Sequence, residues 1–132
     1  MSEHLSDEIV VIDDDPAHLD FLVTALQRDG FAVTGFGRSR DALHYIVDHP
    51  VGAVVVDLNM PQMDGLEIVR RLQATVPTAP VIGVTGAATP LPASHLRTLR
   101  LFGAVDCLRK PIDVATLCEA VRRAVGALPR GH

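Results

Sequence analysis

Four hydrophobic runs in this chain end on side chains that can do chemistry. "EIVVID" ends on Asp13 and is followed by Asp14 and Asp15, and "GAVVVD" ends on Asp57. "PVIGVT" ends on Thr85, and "AVDCLRK" ends on Lys110, with Pro111 next. Continuous β-branched runs of this length read as buried strands. If those strands are parallel, their polar tips converge on one rim. Carboxylates gathered there repel each other, and some stay protonated unless something positive lies between them. A hard divalent cation does this well, because Mg²⁺ prefers carboxylate and carbonyl oxygens and keeps several waters. Each residue also has an ordinary reading when taken alone. Asp13, Asp14 and Asp15 can be a helix N-cap and a solvated turn, Asp57 a turn residue, Thr85 a turn cap and Lys110 a surface lysine. Their joint placement at strand ends is what points to a site, with Asp57 the reactive tip of a buried strand.

The elements that must position these residues alternate. After the first strand, Asp15 followed by Pro16 is a helix start, an N-cap acid with proline at the first helical position. Leu19, Leu22, Val23 and Leu26 recur at helical spacing, and Gly30 closes that helix. "FAVTGF" is a second strand. Ala42, Leu43, Ile46 and Val47 mark a helix that must stop before Pro50. Leu66, Ile68, Val69 and Leu72 lie on a third helix, closed before Pro77. Leu96, Leu99 and Phe102 suggest a fourth. Asp113 caps a last helix carrying Val114, Leu117, Val121, Ala124 and Val125. Five strands alternating with five helices predict an α/β fold, a doubly wound parallel sheet with helices on both faces. In such sheets ligands bind outside the carboxyl ends of the strands, where the polar tips stand.

Bulk properties narrow the classes. The chain has 132 residues, room for one domain with a real core, and 48% apolar against 21% charged residues fits a soluble globular protein. A net charge of −4 gives no basic footprint for nucleic acid. Runs such as "VGAVVV" are too short to cross a bilayer, and the polar start "MSEHLSDE" is no secretory signal. Cys107 and Cys118 have no metal-like spacing and read as reduced thiols of a cytosolic protein. Residues 1–7 read as a flexible leader, 8–127 as one domain and 128–132 as a tail. The initiating Met1 and the short leader favour an N-terminal or free-standing domain.

In order along the chain, the pair Asp13–Asp14, "DLNMPQMDG" around Asp57, "VTG" with Thr85 and "KP" at Lys110–Pro111 resemble the response regulator receiver domain of two-component signalling, the CheY-like family. "GFAVTGF" and "GAVDCLRKP" also resemble the receiver halves of FixJ-type transcription regulators. The resemblance covers residues 8 to 127 and implies a flavodoxin/CheY-like (βα)₅ fold with strand order 2-1-3-4-5. It implies a phosphorylation-dependent switch rather than an enzyme with an external substrate. Asp57 would be the phosphoacceptor, taking a phosphoryl group from a histidine kinase or histidine phosphotransfer protein. Asp14 would coordinate Mg²⁺ (or Mn²⁺) directly and Asp13 mostly through water. Asp57 and the main-chain carbonyl of Asn59 would complete the protein ligands. Lys110, the Thr85 hydroxyl and the amides of Asn59 and Gly86 would bind the phosphoryl group, and the Lys110–Pro111 peptide would be cis. Pro61 would fix the loop after the nucleophile, Gly65 the turn into the third helix, and Asp64 would lie near its cap. The implied partners are the phosphodonor and a downstream protein target in the cytoplasm, with neither nucleic-acid binding by this domain nor membrane insertion. A phosphorylation-linked dimer is among the outcomes the resemblance allows.

Departures from the family pattern fall at three places. Cys107 stands where an aromatic ring often accompanies the threonine switch, so Thr85 and Cys107 are the switch positions and the ring is missing. Pro90 and Pro92 occupy the loop after Thr85, so the next helix should start late, near Ala93. Ala87 stands where a larger polar side chain is common, and with Asn59 it is tied to phosphate lifetime. The six histidines do not cluster, and His18 reads as a solvated residue of the first helix. Two other readings compete. A haloacid-dehalogenase-like phosphatase also combines an aspartate nucleophile, Thr/Ser, Lys and Mg²⁺, but its second aspartate is replaced here by Asn59. A non-phosphorylated interaction module would not need the full set.

Overall fold

The computed structural model describes residues 8–61, 65–77, 79–86, 97, 100–101 and 104–126. Five strands, β1 (Ile9–Ile12), β2 (Val33–Phe36), β3 (Ala53–Asp57), β4 (Val81–Thr85) and β5 (Ala104–Arg109), form one parallel sheet in the order β2-β1-β3-β4-β5. Among the described residues four helices join them: α1 (Pro16–Arg28), α2 (Ser39–Asp48), α3 (Gly65–Thr75) and α4 (Val114–Gly126). The doubly wound fold and the strand order read from the sequence are the ones observed. The helix expected on Leu96, Leu99 and Phe102, its late start near Ala93, and the expectations for Asp64, Ala87, Pro90 and Pro92 lie outside the described residues. So do residues 1–7 and 128–132.

Side-chain parity divides the core. Ile9, Val11, Val55, Ile82 and Val84 pack under α1 and α4, against Leu22, Leu26, Leu117 and Val121. Val10, Ile12, Val54 and Val56 pack under α2 and α3, against Ile46, Ile68, Val69 and Leu72. The three central strands are therefore apolar on both faces, as a parallel sheet requires. Burying each such side chain is worth roughly 1.5–3 kcal/mol, so the sheet is stiff where it must hold a site.

Helix ends fix where the strand tips point. Asp15 caps α1: its carboxylate accepts from the amides of Ala17 and His18, with Pro16 in the first turn. Gly30, at φ 101°, takes the left-handed conformation that lets the chain leave α1 and enter β2. The Asp113 carboxylate accepts from the amide and hydroxyl of Thr116 at the start of α4, which holds Asp113 below its usual carboxylate range.

Candidate functional site

Parallel register assembles the site. Ile12 lies opposite Val56, so the next residues, Asp13 and Asp57, leave the sheet side by side. Asp57 lies opposite Val84, and Thr85 opposite Arg109, so Thr85 and Lys110 follow at the same rim. Carboxylate oxygens of Asp13, Asp14 and Asp57 all lie within 4.8 Å of one another. Asp13 and Asp57 are buried, at 0% and 4% exposure, and Asp14 is half-buried. Asp15 points away from them and caps α1, so the acidic triplet splits into two ligand candidates and one cap. The Lys110 Nζ stands 3.5 Å from Asp57 Oδ2. The Lys110–Pro111 peptide is cis, and the Lys110 amide donates to the Thr85 carbonyl at 2.8 Å.

The remaining donors stand around Asp57 with internal partners. The Asn59 amide donates to Asp57 Oδ1 at 2.9 Å. The Gly86 amide donates to the Asn59 side-chain oxygen at 2.5 Å. Thr85 is buried, and its hydroxyl donates to the Leu108 carbonyl at 3.4 Å. Asp57, Lys110 and the Asn59 amide are thus in contact, Gly86 is joined through Asn59, and Thr85 is turned toward β5. Cys107 lies opposite Gly83 on the α2–α3 face, half-buried, and its thiol is pushed up by burial and by Asp106. It fills little of the space an aromatic ring would.

Two features of the site escaped the sequence reading. His18 is not a solvated residue: its Nδ1 lies 2.5 Å from Asp13 Oδ2, and its side chain is only 18% exposed. An ionised carboxylate can only accept, so the ring N–H is assigned as the donor. The clue lay in position, since a residue in the first turn of a helix leans back toward the preceding strand end. Asp13 itself is raised above the usual carboxylate range, first by burial and also by the Asp57 charge, with the His18 hydrogen bond and the Asp15 amide opposing. The second feature is Leu58, wedged beneath the site. A Cβ built on Gly83 would meet Leu58 Cδ1 at 2.6 Å, and one on Gly65 would meet the Leu58 carbonyl oxygen at 2.8 Å.

The cluster suits a hard divalent cation by its donor chemistry. Three carboxylates converge with at most one ammonium between them, so the site carries net negative charge that an oxygen-seeking cation would offset.

Residues 9–122 match the family model for the response regulator receiver domain. The chain belongs to the response regulator receiver domain family. This receiver is 35% identical over 118 residues to the transcriptional regulatory protein FixJ of Bradyrhizobium diazoefficiens, covering 89% of this chain and 56% of that protein. It is 36% identical over 121 residues to the regulatory protein VirG of Agrobacterium fabrum, covering 92% and 47%. The chain therefore spans about half the length of these curated relatives. Among solved structures, the crystal structure of FixJ-N superposes with a TM-score of 0.80 at 30% identity, covering 92% and 95% of the two chains. A CheY-like receiver from Methanospirillum hungatei superposes at 0.83 with 23% identity, covering 91% and 94%, and shares the fold. Receivers are signalling domains of two-component systems. No helix among the described residues is long and apolar enough to cross a membrane.

Proposed function

We propose that this receiver accepts a phosphoryl group on Asp57 from the phosphohistidine of a histidine kinase or phosphotransfer protein. The observation that carries the reading is the buried Asp57 carboxylate at the tip of β3, flanked by Asp13, Asp14 and the Lys110 ammonium. An Asp57 oxygen attacks phosphorus, the new O–P bond forms as the P–N bond breaks, and the electron pair leaves with the imidazole nitrogen. Lys110 offers a point charge to a phosphoryl oxygen. The amides of Asn59 and Gly86 exchange their internal acceptors for phosphoryl oxygens, and the Thr85 hydroxyl exchanges the Leu108 carbonyl. Asp13, Asp14, Asp57 and the Asn59 carbonyl would hold Mg²⁺ or Mn²⁺. Such a cation, when bound, neutralises the charge that gathers as phosphorus is transferred.

The reaction changes only the receiver itself, so the product is a signal rather than a released compound. Phosphorylation would shift a two-state equilibrium and alter a surface read by a downstream protein. Thr85 and Cys107 would be the switch positions, in the cytoplasm, with dimerisation among the possible consequences. The phosphatase reading is weaker, because Asn59 cannot serve as an acid and instead uses its side-chain oxygen to hold the Gly86 amide.

The test is incubation with Mg²⁺ and acetyl phosphate, read by intact mass beside Asp57→Asn and a chelated control. The native chain is expected to gain one phosphoryl group, and the variant and control none. No adduct and no donor consumption would leave an interaction module as the better reading.

A further inference from the structure

Among the described residues, His18 is the one side chain from outside the strand tips that hydrogen-bonds to the acidic cluster. Asp13 is fully buried, and each of its oxygens is held by a donor of this chain. Oδ1 takes the Asp15 amide at 2.9 Å, and Oδ2 takes the His18 Nδ1–H at 2.5 Å. Neither oxygen lies on the Cβ–Cγ axis, so turning the carboxylate about that bond breaks both contacts at once. With the amide alone, the same turn would cost a single hydrogen bond. His18 is itself held in place. Its backbone amide donates to the Asp15 cap at 3.4 Å, and its ring packs against Phe21 at 5.8 Å between centroids. The chain thus runs from the capped first turn of α1, through one imidazole, to the plane of one carboxylate.

We propose that His18 is a positioning residue for the cation pocket, fixing the plane of Asp13 so that Asp13, Asp14 and Asp57 present their oxygens together. This rests on the reading of that cluster as a cation site. A carboxylate bearing two hydrogen bonds still has lone pairs for a cation or its water, so orientation by His18 and ligation do not exclude each other. Mg²⁺ demands near-ideal octahedral geometry, so a ligand that can rotate weakens the site more than its charge alone suggests. Partners that orient metal ligands cost about 10–100-fold in affinity when removed.

The experiment is calorimetric titration of Mg²⁺ into the full chain at one fixed pH, with no phosphodonor present. His18→Leu, which keeps bulk and loses the donor, is expected to bind Mg²⁺ about tenfold or more weakly. His18→Asn places an amide N–H near the Nδ1 position and is expected to recover most of that loss. Thermal unfolding in chelator checks that both variants are folded, and His18→Ala, the better helix former, replaces His18→Leu should that chain not fold. Native-like affinity in the variant lacking the donor would overturn the positioning role while leaving the cation site intact. Equal weakening in the Leu and Asn variants would also overturn it, because the hydrogen bond would then not be the agent. A native chain that binds no Mg²⁺ would instead sink the reading of the cluster itself, and the proposal with it.

Discussion

Tyr45 is the only tyrosine in a chain without tryptophan, so its ionisation can be followed by near-ultraviolet absorbance without interference. Its hydroxyl donates to both carboxylate oxygens of Glu8, at 2.7 and 3.0 Å, and Thr34 donates to the same carboxylate at 2.5 Å. The ring stacks on His49, 3.7 Å between centroids. The cluster ties the entry of β1 to β2 and α2, at the end of the sheet opposite Asp57. The hydrogen bond to Glu8 pushes the phenol above its ordinary value of 10.0, and burial adds to this while Thr34 opposes it. The neutral phenol is therefore favoured in the fold. Its contribution to stability is complete below the unfolded value and is lost as pH rises from about 10 through the folded value. Spectrophotometric titration should place the Tyr45 midpoint above 10, and Glu8→Gln should bring it down toward 10. The same variant should cost about 1 kcal/mol in urea unfolding at neutral pH. A native midpoint at the free-tyrosine value would show that the pair does not form in solution.

At the scale of elements, two glycines decide how tightly the loop after β3 closes under Asp57. A methyl at Gly83 meets Leu58 Cδ1, the end of a side chain that can turn aside, with Cys107 Sγ 3.4 Å away. A methyl at Gly65 meets the Leu58 carbonyl oxygen, a main-chain atom one residue from Asp57 that cannot give without moving the loop. Overpacking costs about 1–3 kcal/mol. Gly83→Ala is expected at the low end of that range and Gly65→Ala at the high end, read as shifts in the urea midpoint. Only Gly65→Ala should also slow labelling by acetyl phosphate. Equal costs, with native labelling in both, would show that the loop has slack. These contacts were not legible in the sequence, where Gly65 reads as the turn into the third helix and Gly83 as one more residue of a strand. What could be read was periodic. Continuous valines forecast two-sided strands, and parallel strands forecast that Asp13, Asp57, Thr85 and Lys110 would share a rim. The Asp15–Pro16 cap was equally plain, because it is local. His18 and Leu58 were not plain, because their roles depend on which way a side chain turns after the backbone is laid down. A pattern of residue types carries no such angle.

For the molecule as a whole, the fold pushes together groups that would separate if they were free to. The packing of β1 and β3, whose apolar side chains are buried on both faces, forces Asp13 and Asp57 to leave the sheet as neighbours, with Asp14 beside them. Lys110 offsets one charge from 3.5 Å, while two other carboxylates lie within 4.8 Å of Asp57. At an effective dielectric of about 20, the two repulsions exceed the one attraction by roughly 2 kcal/mol or more. Desolvation of the buried Asp57 carboxylate adds to that cost. Asp57→Asn removes the charge, keeps the shape and keeps an oxygen to accept the Asn59 amide. In chelator the variant should therefore be more stable than the native chain, by about 1 kcal/mol in denaturant unfolding. Excess Mg²⁺ should reverse the order. A ligand at a hundred times its dissociation constant stabilises the state that binds it by about 2.7 kcal/mol, and the native site, with all three carboxylates, gains most of this while the variant gains less. Such a crossing of the two stability orders would mark the three carboxylates as a cation pocket held ready by the fold. If Asp57→Asn were less stable than the native chain in chelator, the Lys110 pair and not the acidic repulsion would dominate the rim.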